Sequence, residues 1–186
     1  SGMKVDVIEV ADRVLARVAS PAISEFFQKL HQENDVVVHT GTSVEEINSS
    51  GNKFTGVTLS NGSVIEADLL IVGIGVSPNV ELAHRAGVDC QNGIVVGSDM
   101  QTNINGIFAI GDVALSTSLA PQIEGTPVRV ESVHNAQDSA ARAVAAITGS
   151  DAPSWQSPWF WSEQYDIRLQ SAGIVPPETD AVDYII

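Results

Sequence analysis

The stretch KVDVIEVADRVLARVASPAISEFFQKLHQENDVVVHT, residues 4–40, decides the fold. It begins and ends in short runs rich in valine and isoleucine, which are typical of buried strands in a parallel sheet. Between them, Ser20-Pro21 supplies a helix N-cap and a proline at the first helical position. The predicted helix carries one apolar stripe, made of Ile23, Phe26, Phe27 and Leu30. Strand, helix and strand in this order predict two parallel strands joined by a right-handed crossover.

The next part of the chain has antiparallel character. Three β-type runs, at residues 43–49, 53–60 and 63–72, are separated by turn signals, and Asn61-Gly62 is among the strongest short hairpin signals. These runs predict an antiparallel β-meander. We expect the last of them to lead into an apolar strand, DLLIVGIG at residues 68–75.

The remaining residues predict two helices and a further strand. Ser77-Pro78 is expected to begin a short helix that Gly87 ends. Residues 108–110 are expected to form an apolar strand that leads directly into Gly111-Asp112. The longest helix is predicted from about residue 132 to residue 147, and its alanines indicate close packing against a sheet or a ligand.

The composition bounds the class of protein. The 186 residues are 44% hydrophobic and can build a core, while 23 Asp+Glu against 9 Lys+Arg give a formal net charge of −14. This charge argues against nucleic acid as a partner, because phosphate backbones are bound by clustered lysine and arginine. The single cysteine, Cys90, excludes a disulfide framework and a multi-cysteine metal site within these residues. No run is apolar and long enough to span a bilayer, so we expect a cytoplasmic protein that does not bind membranes.

Three strand ends are candidate ligand sites, since open α/β sheets bind ligands at the carboxyl ends of their strands. Glu9 lies where an acid accepts hydrogen bonds from the ribose of a dinucleotide, and a solvated acid at a strand end is the alternative. The glycines of Gly73-Ile74-Gly75 would let a ligand approach the backbone, although a helix turn explains them equally well. Asp112 follows an apolar strand and a glycine, and a turn-forming aspartate is the alternative.

Two other features could contribute to a site. The N-terminus of the helix at residues 132–147 would favour electron-rich or anionic groups. The aromatic residues at 155–165 are either plain core or an interface or stacking site. We interpret the four histidines as structural or surface residues, because none has metal-ligand spacing, and we predict no metal site. Cys90 has no positive neighbour that would activate it for redox chemistry.

Four stretches together resemble one family. DLLIVGIGVSPNVELAHRAG (residues 68–87) and NGIVVGSDMQTNINGIFAIGDVA (residues 92–114) are similar to the flavoprotein reductases related to glutathione reductase, which have two dinucleotide-binding domains. VRVESVHNAQDSAARAVAAITG (residues 128–149) and PWFWSEQYDIRLQSAG (residues 158–173) resemble one branch of them. That branch comprises the NADH-dependent ferredoxin reductases of the putidaredoxin, rhodocoxin and rubredoxin reductase type, which serve Rieske oxygenases and cytochromes P450.

The resemblance implies FAD as a cofactor and gives roles to particular residues. Asp112 would hydrogen-bond the ribityl chain of FAD, and Val133 would place its backbone near the flavin pyrimidine. Trp159 resembles the family's aromatic residue near the flavin, and Trp161 resembles one on the face that meets a [2Fe–2S] ferredoxin.

The resemblance also implies NAD as a cofactor. Glu9 matches the family's ribose-binding acid, which implies NADH over NADPH, and Gly73, Ile74 and Gly75 would line the nicotinamide side. In this family hydride passes from nicotinamide to flavin, and single electrons then leave to the ferredoxin. Because the cofactors do this chemistry, we expect no catalytic side chain in these residues.

The fold implied is α/β, an incomplete two-dinucleotide-binding-domain flavoprotein fold truncated at both ends. It combines a parallel sheet with crossover helices, an antiparallel β-meander and the start of a C-terminal α+β domain. We expect residues 1–2 to be a vector scar and residues 3–77 to be an NAD-binding lobe without its first strand, loop and helix. Residues 78–150 would be the C-terminal part of an FAD-binding domain, and residues 151–186 the start of an interface domain.

Both glycine-rich pyrophosphate loops of the family are missing from these residues. We therefore expect the chain alone to be catalytically inactive and to keep no stoichiometric FAD. The loss of a central strand would leave sheet edges unpaired, which favours a homo-oligomer or strand exchange. The alternatives are another pyridine-nucleotide flavoprotein (an NADH oxidase, a nitrite reductase subunit or a disulfide reductase) or a non-catalytic, self-associating remnant.

Overall fold

The computed structural model describes residues 2–117, 127–154 and 156–173. The described residues up to Ile74 form one unit, and those from Gly75 onward form a second. Both units mix helices with short sheets, and parallel and antiparallel strand pairs are both present. The predicted α/β class is confirmed.

A strand–helix–strand unit opens the first unit. Strand β1 (Val5–Glu9) pairs in parallel with β2 (Val36–Thr40), and helix α1 (Pro21–Glu33) connects them. The Ser20 side chain accepts a hydrogen bond from the Ile23 N–H, so Ser20 is the N-cap and Pro21 the first helical residue. Local helix signals were sufficient here, because a cap and a proline act within one helical turn.

Helix α1 buries one aromatic side chain and exposes its neighbour. Phe27 is 1% exposed, whereas Phe26 is 49% exposed, and their rings meet edge to face with centroids 5.3 Å apart. The loop before the helix is held by Arg13, whose guanidinium donates to Ala19 O at 2.8 Å and to Ser24 Oγ at 2.7 Å. The buried ring of Phe27 and the hydrogen bonds of Arg13 together hold α1, which packs against β2.

The predicted β-meander is present in the first unit. Strands β3 (Val44–Ser50), β4 (Lys53–Leu59) and β5 (Val64–Glu66) form an antiparallel sheet in the order β3-β4-β5. Gly62 adopts a φ of 83° in the second turn, a value that favours glycine. Val57 and Leu59 are the buried apolar residues of the central strand.

The predicted strand at residues 68–75 is wrong. Strand β5 ends at Glu66, and residues 67–80 have no regular secondary structure. The side chains of Leu69, Ile71 and Ile74 are 75%, 85% and 91% exposed. The sequence has strand character, but no strand in the described part of the chain pairs with it, and a strand is defined by hydrogen bonds to a neighbour.

The short helix of the second unit begins later than predicted. Helix α2 spans Glu81–Arg85, and its N-cap is Val80, without a side-chain hydrogen bond, rather than Ser77. Its end agrees with the sequence, because Gly87 follows with a φ of 81° and the Val88 N–H donates to Ala83 O at 3.0 Å.

The second unit contains a four-stranded sheet. It consists of β6 (Cys90–Gln91), β7 (Gly93–Val96), β8 (Ala114–Ser116) and β9 (Val128–Arg129), in the spatial order β6-β7-β8-β9. Strands β7 and β8 are parallel, and the other two pairs are antiparallel. The expected strand at residues 108–110 does not form, and only a single β-bridge joins Gln101 to Phe108. The chain pairs with β7 only after Asp112, where β8 begins.

The long helix and a hairpin complete the second unit. Helix α3 (Val133–Thr148) is capped by Ser132, which accepts from the Asn135 N–H at 3.1 Å, and ends at Gly149 with a φ of 69°. Its Ala143 joins a buried apolar cluster with Val96, Met100, Ala109 and Ala114. Strands β10 (Trp159–Gln164) and β11 (Ile167–Ala172) form an antiparallel pair. The predicted extent of α3 is confirmed.

Phe27→Ala should lower the free energy of unfolding by about 3–5 kcal/mol, because it removes a buried aromatic side chain and leaves a cavity. Phe26→Ala is the matched control and should change it by less than about 1 kcal/mol, since that ring is half exposed. Urea unfolding followed by circular dichroism measures both, with Phe27→Leu as a milder variant if the alanine variant does not fold. Equal losses at the two positions would contradict the assigned packing of α1.

Candidate functional site

Asp112 lies on a short turn that packs against α3. Residues Gly111–Val113 form one 3₁₀ turn immediately before β8. The Gly111 N–H donates to Ser139 Oγ at 2.9 Å, and a Cβ added at Gly111 would lie 3.8 Å from the Ala136 Cβ. The Asp112 side chain is exposed. The turn is therefore fixed to the helix through its backbone, while its carboxylate remains accessible.

The same turn is also held by Arg129 of β9. A guanidinium nitrogen of Arg129 donates to the backbone carbonyl of Asp112 at 3.1 Å and also pairs with the Glu131 carboxylate. The Arg129 side chain is only 10% exposed. The carbonyl of Asp112 and the N–H of the preceding residue, Gly111, are thus hydrogen-bonded to two different elements.

The first turn of α3 presents backbone donors next to this turn. Ser132 caps the Asn135 N–H, and Val133, the first helical residue, is 53% exposed. The first N–H groups of a helix have no intrahelical partner, and they carry the positive end of the helix dipole. An accessible carboxylate and a helix N-terminus therefore lie at the same end of α3, which suits hydroxyl groups and an electron-rich ring.

One of two stacked tryptophans lies against the start of α3. The ring of Trp159 meets His134 edge to face, with centroids 5.2 Å apart, and stacks on Trp161 at 5.1 Å with an interplanar angle of 29°. Trp161 is 46% exposed. The predicted aromatic cluster is therefore formed at least by these two rings, and Trp155 lies outside the described residues. His134 and Pro158 also line a small pocket beside them.

Glu9 lies in the other unit, at the carboxyl end of β1. Its carboxylate accepts a hydrogen bond from the Ala11 N–H at 2.9 Å, and the side chain is half-buried. The loop after it is tied to the end of β2, since the Gly41 N–H donates to Ala11 O at 2.8 Å. The carboxylate therefore lies at the edge where parallel strands place ligand-binding groups.

Gly73, Ile74 and Gly75 are not gathered into a site. They lie in the exposed segment at residues 67–80, and a Cβ added at Gly73 would have no atom within 4 Å. Gly73 and Ile74 belong to the first unit and Gly75 to the second. The space beside Gly73 is open, and the approach of a ligand to these glycines stays a prediction.

The remaining histidines, cysteine and acids within residues 2–117, 127–154 and 156–173 are the other candidate site groups. Among the described residues, no three His, Cys, Asp or Glu side chains are arranged to hold a metal ion, and no helix could cross a membrane. His39 contacts Asp6 at 2.9 Å, and the half-buried Cys90 thiol lies 3.3 Å from Val88 O. Burial lowers the pKa of His31, which lies on α1.

Sequence reasoning missed Arg129 and Ser139. Both contact the Asp112 turn, yet neither belongs to a periodic pattern or a recognised spacing. An arginine that follows a β-branched residue and precedes Glu131 indicates at most a paired charge. The contact between Gly111 and Ser139 joins residues 28 positions apart, and no local signal could reveal it.

A family model described as pyridine nucleotide-disulphide oxidoreductase matches residues 1–140. The chain is 43% identical over 175 residues to rhodocoxin reductase of Rhodococcus erythropolis, a match that covers 93% of this chain and 40% of that protein.

Two solved structures are similar over nearly the whole chain. The ferredoxin reductase for the CYP199A2 system of Rhodopseudomonas palustris matches with a TM-score of 0.85 and 45% identity, covering 93% of this chain and 42% of that one. The covalent putidaredoxin reductase–putidaredoxin complex matches with a TM-score of 0.86 and 41% identity, covering 92% and 41%. The chain thus spans about two fifths of the length of the proteins it matches.

Gly111→Ala should lower the free energy of unfolding by about 1–2 kcal/mol, because alanine is strained at a positive φ. The observed φ is 69°, and the space beside it is sufficient, so strain and not a clash causes the loss. Gly73→Ala is the control and should change stability by less than about 0.5 kcal/mol. Urea unfolding measures both, and an unchanged Gly111→Ala variant would contradict the assigned turn.

Proposed function

Because the chain belongs to the pyridine nucleotide-disulphide oxidoreductase family, we propose that it is part of an FAD-dependent reductase that passes electrons from NADH to a [2Fe–2S] ferredoxin of an oxygenase or P450 system. The identities of 41–45% to ferredoxin reductases, over more than nine tenths of this chain, support that branch of the family. The observation that carries the proposal is the accessible Asp112 carboxylate on a turn fixed to the N-terminal half of α3.

The Asp112 end of α3 is the proposed flavin site. The residues present fit FAD: a carboxylate can accept hydrogen bonds from the ribityl hydroxyls, and the N–H groups at Val133 can stabilise negative charge on the pyrimidine. Trp159 lies against the same end of the helix through its contact with His134. When bound, FAD would supply the exchange between hydride and single electrons, and these side chains would bind and orient it.

Glu9 is the proposed binding residue for the nicotinamide nucleotide. Its carboxylate can accept hydrogen bonds from the adenosine ribose, and its charge would repel the 2′-phosphate of NADPH. The Ala11 N–H holds that carboxylate at the strand end. The proposed lining of the nicotinamide by Gly73, Ile74 and Gly75 rests on the resemblance alone, since those residues are exposed in this structure.

The proposed ferredoxin contact includes Trp161. This ring is half exposed and stacks on Trp159, so it extends the aromatic cluster from the proposed flavin site toward solvent. The similarity to the structure of a putidaredoxin reductase in covalent complex with putidaredoxin supports a ferredoxin partner.

We also propose a cytoplasmic location and three domain boundaries. Residues 3–77 would belong to the NAD-binding lobe, residues 78–150 to the FAD-binding domain and residues 151–186 to the interface domain.

The 186 residues alone are proposed to be inactive and to bind FAD too weakly to retain it on purification. No G-x-G-x-x-G sequence occurs in them, so neither dinucleotide has a glycine-rich loop here for its phosphates. Glu9 and Asp112 would each hold the sugar end of a ligand whose phosphates lack their main contacts.

Titration of the ¹⁵N-labelled chain tests these sites by residue. FAD should shift the amide resonances of Asp112 and Val133, and NADH should shift those around Glu9, both with weak affinity. Asp112→Asn should weaken FAD binding about tenfold, because it replaces a charged hydrogen-bond acceptor. The purified chain should show no flavin absorption near stoichiometric occupancy.

Asp89→Asn is the matched control, since Asp89 is an exposed acid of the same unit outside the proposed site. It should leave the FAD affinity unchanged. Absence of shifts at Asp112 and Val133 at millimolar FAD would overturn the flavin assignment. A flavin band at full occupancy would overturn the proposed inactivity instead.

The isolated chain is further proposed to self-associate through the segment Leu69–Val76. This segment is mostly exposed, uncharged and apolar, and no strand pairs with it among the described residues. Such a segment can pair with an identical copy or exchange strands. The self-association concerns this chain in isolation and is separate from the proposed electron transfer.

Light scattering should give a dimer or larger species for the chain and a smaller mass for Ile71→Lys, because a lysine on an unpaired edge opposes strand pairing. Leu82→Lys is the control: Leu82 is 84% exposed and Ile71 is 85% exposed, but Leu82 lies on α2 outside the segment. A monomeric wild-type chain would contradict the proposal, as would equal effects of the two substitutions.

A further inference from the structure

Arg129 is a nearly buried arginine that contacts the Asp112 turn. Its side chain is 10% exposed and pairs with Glu131, yet one guanidinium nitrogen also donates to the Asp112 backbone carbonyl at 3.1 Å. Its Nε is buried without a hydrogen-bond partner among the described residues. A buried arginine with an unsatisfied donor costs stability. Because this cost is not offset at Nε, we infer that the hydrogen bond from Arg129 to the Asp112 carbonyl has a role at that turn.

Ser139 of α3 also holds this turn, through the N–H of Gly111. It is 1% exposed, and its hydroxyl donates to Asn135 O at 2.6 Å while accepting from the Gly111 N–H at 2.9 Å. The hydroxyl thus links one turn of α3 to the residue that precedes Asp112. Because this hydroxyl both donates and accepts, it defines the orientation of the peptide group between Ile110 and Gly111.

We propose that Arg129 and Ser139 are positioning residues that preset Asp112 for the sugar-alcohol chain of a flavin; this rests on the proposed flavin site. Arg129 holds the carbonyl of Asp112 and Ser139 holds the N–H of Gly111, so the backbone is anchored on both sides of the Asp112 α-carbon. A carboxylate ordered before binding loses less entropy when the ligand arrives, and its geometry is kept by the residues behind it. Neither residue needs to touch the ligand.

The chain offers a matched control for Arg129. Arg142 is also 10% exposed in its side chain, pairs with an acid (Asp138, at 2.7 Å), and has a buried nitrogen without a partner among the described residues. It lies on α3, and no hydrogen bond is seen between it and the Asp112 turn in the described residues. Arg129→Met and Arg142→Met therefore remove similar buried charges, and only the first removes the contact with Asp112.

Riboflavin and lumiflavin are titrated into the full chain, and binding is followed by quenching of flavin fluorescence. The comparison distinguishes an effect on the position of Asp112 from a general loss of stability. Lumiflavin has the flavin ring without the ribityl chain, and neither probe needs a phosphate loop. Arg129→Met should weaken riboflavin binding about tenfold, the loss of one charge-assisted hydrogen bond, and leave lumiflavin unchanged. Arg142→Met should change neither, and Arg129→Lys should recover part of the loss.

Amide hydrogen exchange gives a readout that needs no ligand. Ser139→Ala should speed exchange of the Gly111 amide about fivefold or more, as expected for one lost hydrogen bond, while the Val57 and Leu59 amides of the other unit stay unchanged. If riboflavin binds better than lumiflavin but Arg129→Met matches Arg142→Met, the positioning role is overturned and the flavin site stands. A wild-type chain that does not prefer riboflavin overturns the flavin site, and this inference with it.

Discussion

The hydrogen bond from the Gly111 N–H to Ser139 Oγ connects the sheet of the second unit to its long helix. It brings the end of a sheet connection, an accessible carboxylate and the start of α3 into one place. Without it, Asp112 would be an ordinary turn residue and the helix N-terminus an ordinary surface feature. The candidate site is therefore a property of this packing and not of any single side chain.

Features set by neighbouring residues were predictable from the sequence. The Ser20 and Ser132 caps and the end of α2 near Gly87 depend on side chains within one turn, and the structure has all three. The strand expected at residues 68–75 failed because strand pairing depends on a distant partner, which apolar composition does not reveal. Asp112 could be identified by its glycine and strand context, whereas the contacts of Arg129 and Ser139 depend on tertiary structure.

The two candidate binding carboxylates have different surroundings, and each suits a neutral polyol. Glu9 is half-buried and already accepts one backbone hydrogen bond, while Asp112 is exposed and its backbone is held instead. Both arrangements leave carboxylate oxygens able to accept from hydroxyl groups. In the proposed function both carboxylates would hold cofactors that carry out the chemistry themselves.

The exposed run LLIVGIGV at residues 69–76 has a consequence for the biosynthesis of the chain. Eight successive residues without charge, rich in β-branched side chains, are typical of sequences that nucleate cross-β aggregates and that chaperones recognise. Two glycines weaken its β-propensity, and the formal net charge of −14 raises the solubility of the whole chain. The yield of soluble protein should thus depend on salt, which screens that charge, and on the rate of synthesis.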